Sequence, residues 1–265
     1  MNNSSINILH VTDTHLLADK EASLLGVNTE QSFQAVIKTI QNAKIKFDLI
    51  IHSGDMSQDC SEASYERLAE ELSEFNVPIY CVPGNHDDLK TMMKVFPHEN
   101  MSRHQHIVLK NWHLILLNSK QPNVVEGHLD QTQLNYLQHC LQTYPEHHAL
   151  VIFHHHPILV GSTWLDKLNL KNADEFWEIV SHYPKVNTVL FGHVHQEVFK
   201  MKDNIKCIAT PSTCIQFKRN QNEFGLEKLP PGCRILQLYG DGRLETAVHR
   251  VPEYIGHFEE NAKNY

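Results

Sequence analysis

The chain has 265 residues, 41% of them hydrophobic, with 23 basic against 31 acidic side chains and a formal net charge of -8. That balance argues against nonspecific nucleic-acid binding, which depends on basic surface, yet it admits a small anionic substrate where bound cations reverse the local field. No apolar run approaches the roughly eighteen residues of a membrane span, MNNSSINILH reads as no signal peptide, and six scattered cysteines form no C-x-x-C pair, so a reduced, cytoplasmic, membrane-free protein is expected.

Without a linker, repeat or composition shift, one domain is expected over 1–265, with a core of about 6–251 and a tail of about 252–265. Its first apolar run, INILHVTD, predicts a strand that ends at Asp13. Phe33, Val36, Ile37 and Ile40 then recur at helical spacing behind the candidate caps Asn28 and Thr29. DLIIHSGD is a second strand ending at Asp55, followed by a helical stripe of Tyr65, Leu68, Ala69, Leu72 and Phe75 behind Ser61. PIYCVPGN is a third strand, ending at Asn85, and HLILLNS a fourth. Leu134, Leu137 and Leu141 mark a helix behind Asp130, with Gln133 at capping-box spacing. ALVIFHHH and TVLFGHVH are two more strands. Nearly continuous apolar runs alternating with helices predict parallel strands covered on both faces. From about Cys207 the runs CIATPS, CRILQLY and ETAVHRV, with a GDG turn, predict antiparallel strands added to that core.

The ends of these strands carry the chemistry. Asp13 and His15, Asp55, Asn85 with His86 and Asp87, His154 to His156, and His193 with His195 each follow an apolar run. In open α/β sheets that carboxyl edge is where ligands bind. Turn propensity accounts for Gly and Asp at such places, but not for histidine at the end of strand after strand. Carboxylates, an amide and imidazoles suit Mn, Fe or Zn better than Ca or Mg. The set is too large for one tetrahedral ion and fits a pair about 3.5–4 Å apart. Strand alternation puts His154 and His156 on one face, with His155 opposite, and does not choose between the first two. More than half of the twenty histidines are expected on solvated surface.

In order, D-x-H (Asp13, His15), GDMSQD (Gly54 to Asp59), GNHD (Gly84 to Asp87), HHHP (His154 to Pro157) and GHVH (Gly192 to His195) resemble the five motifs of the calcineurin-like metallophosphoesterases. The resemblance implies a four-layer α/β/β/α sandwich, two mixed β-sheets flanked by helices, with two divalent ions, Fe2+ or Mn2+ first and Zn2+ or Co2+ as alternatives. It places one ion on Asp13, His15, Asp55 and His195 and the other on Asp55, Asn85, His154 and His193, with Asp55 bridging. Among the three consecutive histidines it selects His154. It makes His86 the general acid, places His15, Asn85, His86 and His195 against substrate, and implies attack by a metal-bridging hydroxide.

TDTHL, LLGVNT, the stretch from Ser162 to Phe176, GHVHQE and ATPSTCIQFK further resemble bacterial class III cyclic AMP phosphodiesterases, from about Ile8 to about Val251. That implies hydrolysis of a small-molecule cyclic nucleotide, 3',5'-cyclic AMP, to 5'-AMP, by a monomer or homodimer. Broader action on 2',3'-cyclic nucleotides or glycerophosphodiesters and a non-catalytic scaffold are the alternatives. Asp59 is expected to organise its loop, Asp87 to orient a histidine, and Trp164 and Asn172 either to line the mouth of the site or to pack loops.

Overall fold

A computed structural model describes residues 5–97, 101, 102, 105–253, 256, 259 and 262; the expected tail beyond 252 lies mostly outside them. In chain order the elements are β1 (Ile6–Val11), β2 (Ser23–Leu24), β3 (Val27–Asn28), α1 (Thr29–Ala43), β4 (Leu49–His52), α2 (Glu62–Ser73), β5 (Ile79–Cys81), α3 (Leu89–Val95) and β6 (Met101–Ser102). The second half continues with β7 (His106–Leu109), β8 (Trp112–Leu116), α4 (Gln131–Thr143), β9 (His148–Ile152), α5 (Thr163–Asp166), α6 (Ala173–Ser181) and β10 (Val186–Phe191). It closes with β11 (Val198–Lys202), β12 (Ile205–Ala209), β13 (Gln216–Phe217), β14 (Leu226–Glu227), β15 (Gly232–Leu238) and β16 (Leu244–Arg250).

Two six-stranded sheets organise the chain, in the orders β16-β15-β1-β4-β5-β6 and β11-β12-β10-β9-β8-β7. β1, β4 and β5 are mutually parallel, as are β8, β9, β10 and β12. Three apolar cores explain the continuous hydrophobic runs. Ile8, Leu49, Ile51, Leu114, Leu150, Leu190 and Ile208 interlock between the sheets. Phe33, Val36, Tyr65 and Leu68 cover the outer face of the first sheet, and Leu134, Leu137, Phe176 and Val180 that of the second. The layers are therefore helix, sheet, sheet, helix, because each strand buries both faces. Antiparallel β15 and β16 extend the first sheet as expected, whereas β12 joins β10 in parallel.

Local signals are met unevenly. Asn28, Ser61 and Asp130 cap α1, α2 and α4, each side chain accepting from the backbone N–H three residues on. Phe75 falls beyond the end of α2. The capping box at Asp130 is only half made, because Gln133 Oε1 accepts from the Asn118 N–H at 2.8 Å and so ties α4 to the end of β8. The short helices α3, α5 and α6 carry no expectation from periodicity. Among the described residues the histidines are less exposed than expected: nine are buried, six are half-buried, and His139 and His182 are exposed. All six cysteines are free thiols, and no helix of the described residues is long and apolar enough to cross a membrane.

Candidate metal centre

The carboxyl ends of β1, β4, β5, β9 and β10 open on one side of the sandwich, and the loops that follow are laced together. Asp13 N–H donates to the Gly54 carbonyl and His15 N–H to the Asp55 carbonyl, both at 3.0 Å. Gly192 N–H donates to the His154 carbonyl at 3.1 Å, and His86 N–H to Asp55 Oδ1 at 2.9 Å. The backbone at these points is unusual. Asp13, His15, Asp55, His193 and His195 all have φ between 46° and 65°. For non-glycine residues this left-handed region costs of order 1–3 kcal/mol each, so the surrounding contacts impose it. The flip turns each side chain off its strand direction toward a common centre. Gly84 and Gly192 allow that convergence: a Cβ on Gly84 would lie 2.1 Å from Asp55 Oδ1, and one on Gly192 2.1 Å from Thr12 Oγ1.

Asp55 stands in the middle. Its Oδ2 lies 3.2 Å from His154 Nε2 and 3.7 Å from His15 Nε2. On the first side, His15 Nε2 is 3.2 Å from His195 Nε2, which is 3.4 Å from Asp13 Oδ1. On the second, His154 Nε2 is 3.1 Å from Asn85 Oδ1. His193 has its ring 5.1 Å from that of His154 and a buried Nε2 with no hydrogen-bond partner. The other ring nitrogens are held from behind: His15 Nδ1 by Gln58 Oε1 at 2.8 Å, His154 Nδ1 by the Ser53 carbonyl at 2.7 Å, and His195 Nδ1 by the Ile215 carbonyl at 3.0 Å. Those oxygens accept, so in the neutral rings the protons sit on Nδ1 and the Nε2 lone pairs face inward.

This geometry tests whether cations fit. Two Nε2 lone pairs 3.2 Å apart on His15 and His195 repel unless a cation or shared proton lies against them. Asp13–Asp55–His154 and His15–Asp55–His86 each bring three donor atoms within 4.8 Å of one another. Burial alone would raise Asp55, but the His154 and His86 imidazoles hold its carboxyl well below the usual range. Burial pulls His154 down, yet the Asp55 charge prevails and lifts it to about 9, while burial takes His15 down to about 3. Asp55 thus favours positive charge beside it, and the clustered carboxylates and imidazoles suit divalent ions. Cys214 also lies within 4.8 Å of donors on His15 and His195. Burial pushes its thiol up to about 12, and Sγ rests 3.4 Å from the Asp13 carbonyl.

A family model for calcineurin-like phosphoesterases matches residues 6–197. The chain belongs to the calcineurin-like phosphoesterase family. Members of this metallophosphoesterase family work with a dinuclear metal centre, in keeping with the His/Asp clusters here. The chain is 43% identical over 252 residues to the 3',5'-cyclic adenosine monophosphate phosphodiesterase CpdA of Vibrio vulnificus, covering 95% of this chain and 92% of that one. It is 40% identical to the protein of the same name from Escherichia coli K12, covering 94% and 90%. A dimetal phosphatase from Danio rerio shares the fold, with a TM-score of 0.66 over 93% of this chain and 99% of that one at 11% identity.

Several neighbours of the phosphoesterase centre differ from expectation. β9 ends at Ile152, so strand alternation no longer governs His154 to His156, and all three are buried. His155 is anchored: Nδ1 lies 2.8 Å from Ser119 Oγ and Nε2 2.9 Å from the Val125 carbonyl. His156 stacks on His193 with ring centroids 5.6 Å apart. Asp59 organises its loop by accepting from Ala18 N–H and Ser61 N–H. Asp87 does not orient a histidine. It accepts from the backbone N–H groups of Met56, Ser57 and Gly84 and from the Tyr65 hydroxyl, locking GDMSQD to GNHD, and burial followed by the Asp55 charge raises it to about 7. Asn172 packs a loop, bonding Leu129 through both N–H and carbonyl. Trp164 packs edge-on against Phe217, which stacks on the His195 ring at 4.1 Å. Phe217 lies within ATPSTCIQFK, but its stacking on His195 has no signal in the sequence, since it is a contact across the fold.

Proposed function

We propose that the chain hydrolyses 3',5'-cyclic AMP to 5'-AMP at this centre, as a soluble cytoplasmic enzyme acting on a small nucleotide. The observation that carries the chemistry is Asp55 lying between His15 and His154, with His86 hung on the same carboxylate by its backbone N–H. The choice of substrate rests on the names of relatives matched over nearly the whole chain.

In this reading Asp13, His15, Asp55 and His195 would hold one cation and Asp55, Asn85, His154 and His193 the other, with Mn or Fe as the favoured ions. Such a pair supplies positive charge against the phosphoryl oxygens and an acidified water. The chain's own residues do the rest. Gln58, Ser53 and the Ile215 carbonyl fix three imidazoles so that no reorientation is needed during the reaction. The ring of His86 packs edge-on to His15 at 5.0 Å and reaches the open side of the centre. Burial lowers its pKa, and an anionic diester against the ring acts in the opposite direction, favouring the charged form. His86 then gives its proton to the departing 3'-oxygen as the ring opens.

Dialysis against a chelator is expected to abolish cyclic AMP hydrolysis, and added Mn2+ or Fe2+ to restore it. Undiminished turnover in the metal-stripped protein would end the proposal. A panel of 3',5'-cyclic AMP, 2',3'-cyclic AMP, glycerophosphodiesters and an aryl diester then decides the substrate, with the highest kcat/KM expected for the first.

A further inference from the structure

Beside His86 the surface opens into a cleft of about 680 Å³, walled on one side by the start of α3 and on the other by the loop from Lys120 to Val125. Binding sites for small ligands run roughly 300–1,000 Å³, so a mononucleotide fits with room for solvent. Asn85 and His86 form its inner end. The far wall carries a feature that a folded loop has no structural need to display. Val124 and Val125 stand 39% and 43% exposed, adjacent and apolar. Gln121 lines the same wall, its Nε2 donating to the Glu126 carbonyl at 3.4 Å.

This wall is fastened. The middle histidine of the triplet grips the loop at both ends, taking the Ser119 hydroxyl on Nδ1 and giving Nε2–H to the Val125 carbonyl. Gly127 lies so close to that imidazole that a Cβ there would sit 2.4 Å from it. Lys120 adds a third tie, donating from Nζ to the Asn85 carbonyl at 2.7 Å. Its ammonium is thereby held at the boundary between cleft and metal centre, in a chain whose net charge is -8. Exposed apolar side chains on a loop pinned to three points read as a preformed contact surface rather than as a solvated turn.

We propose that the cleft is the nucleoside subsite of this enzyme. The two valines cover one face of a purine ring, Gln121 reads its edge through the paired donor and acceptor of its amide, and Lys120 draws the phosphate toward the centre. The inference rests on the phosphodiesterase activity above and extends it by saying where the part of the substrate that does not react is held. A base bound there would be reached without crossing any buried element, since His86 borders both spaces.

The experiment compares kcat/KM for 3',5'-cyclic AMP with kcat/KM for bis(p-nitrophenyl) phosphate, a diester without a nucleoside, in the metal-loaded full chain. For Val124→Asp/Val125→Asp the ratio of the two is expected to fall at least tenfold, mainly through KM for the nucleotide. For Val124→Thr/Val125→Thr, which keeps shape and guards against a misfolded loop, a fall of about threefold is expected. Ratios within twofold of the parent in both variants overturn the subsite. Should the parent fail to turn over cyclic AMP, the activity assignment fails by itself. The subsite is then decided by inhibition of aryl diester hydrolysis by 5'-AMP: its inhibition constant rises at least fivefold in the aspartate variant, or the cleft does not hold nucleosides.

Discussion

The molecule carries two clusters of imidazoles at opposite ends of its second sheet, and they are chemically unlike. At the carboxyl end, His15, His154, His193 and His195 surround Asp13 and Asp55. At the amino end of β8, His113 lies with His106, whose Nε2 is 3.0 Å from its Nδ1, and near His147 and Tyr144. In the first cluster a carboxylate lifts one imidazole to about 9. In the second, burial and then the like charges of His106 and His147 push His113 down to about 4. Proximity of histidines is therefore not what makes a site. Interleaved carboxylates and the left-handed turns that aim both groups inward distinguish one cluster from the other.

The largest effect is expected where that distinction is removed. On the proposed assignment Asp55→Ala takes away the group common to both donor sets, so elemental analysis should show loss of bound metal, and diester hydrolysis should fall by roughly 10³-fold or more. Two equivalents of metal retained in the variant would contradict the shared role. Removing the proposed proton donor is expected to cost less: His86→Ala should lose about 10²–10⁴-fold in kcat with metal content unchanged. Normal turnover of cyclic AMP by that variant would reassign the acid. Gly192→Ala tests the backbone half of the comparison. The added Cβ would meet Thr12 Oγ1 at 2.1 Å and Asp13 Oδ2 at 2.8 Å, displacing Asp13. Metal affinity is expected to drop about 10–100-fold, as for losses in the shell behind a ligand, and titration with Mn2+ would reveal it.

What could be read from sequence follows the same division. The strands of the parallel core were legible because runs such as DLIIH and ALVIF bury both faces, and the convergence of Asp13, Asp55, His154 and His193 was legible because each follows such a run. Helix starts were legible at Asn28, Ser61 and Asp130, where a side-chain oxygen meets the third N–H onward. Contacts between distant segments were not. Asp87 reads like a histidine partner in GNHD, yet the N–H groups it satisfies belong to residues some thirty positions away or to the turn itself. The anchoring role of His155 was not legible because its partners Ser119 and Val125 belong to another loop. The positive φ at Asp13, His15, Asp55, His193 and His195 has no local signal, since none is glycine and only packing holds it.

The smallest effect is expected at the second cluster, and it bears on stability rather than catalysis. His113 is buried, its Nε2 has no hydrogen-bond partner, and burial holds its pKa in the folded chain at about 4, below the ordinary imidazole value of 6.5. A depressed base makes the unfolded chain the better proton acceptor between those two values, so stability falls as pH drops from about 6.5 toward 4. The loss amounts to roughly 1.4 kcal/mol per pH unit for one group in that window. His113→Phe keeps an aromatic ring against Tyr144 and His147 without a titrating nitrogen. Chemical denaturation at a series of pH values should show a shallower acid slope for the variant, with kcat/KM at neutral pH untouched because the ring stands at the far end of the sheet. A parallel slope in both proteins would mean that the acid sensitivity in this window lies with other buried imidazoles, such as His15 and His52, which burial lowers to about 3.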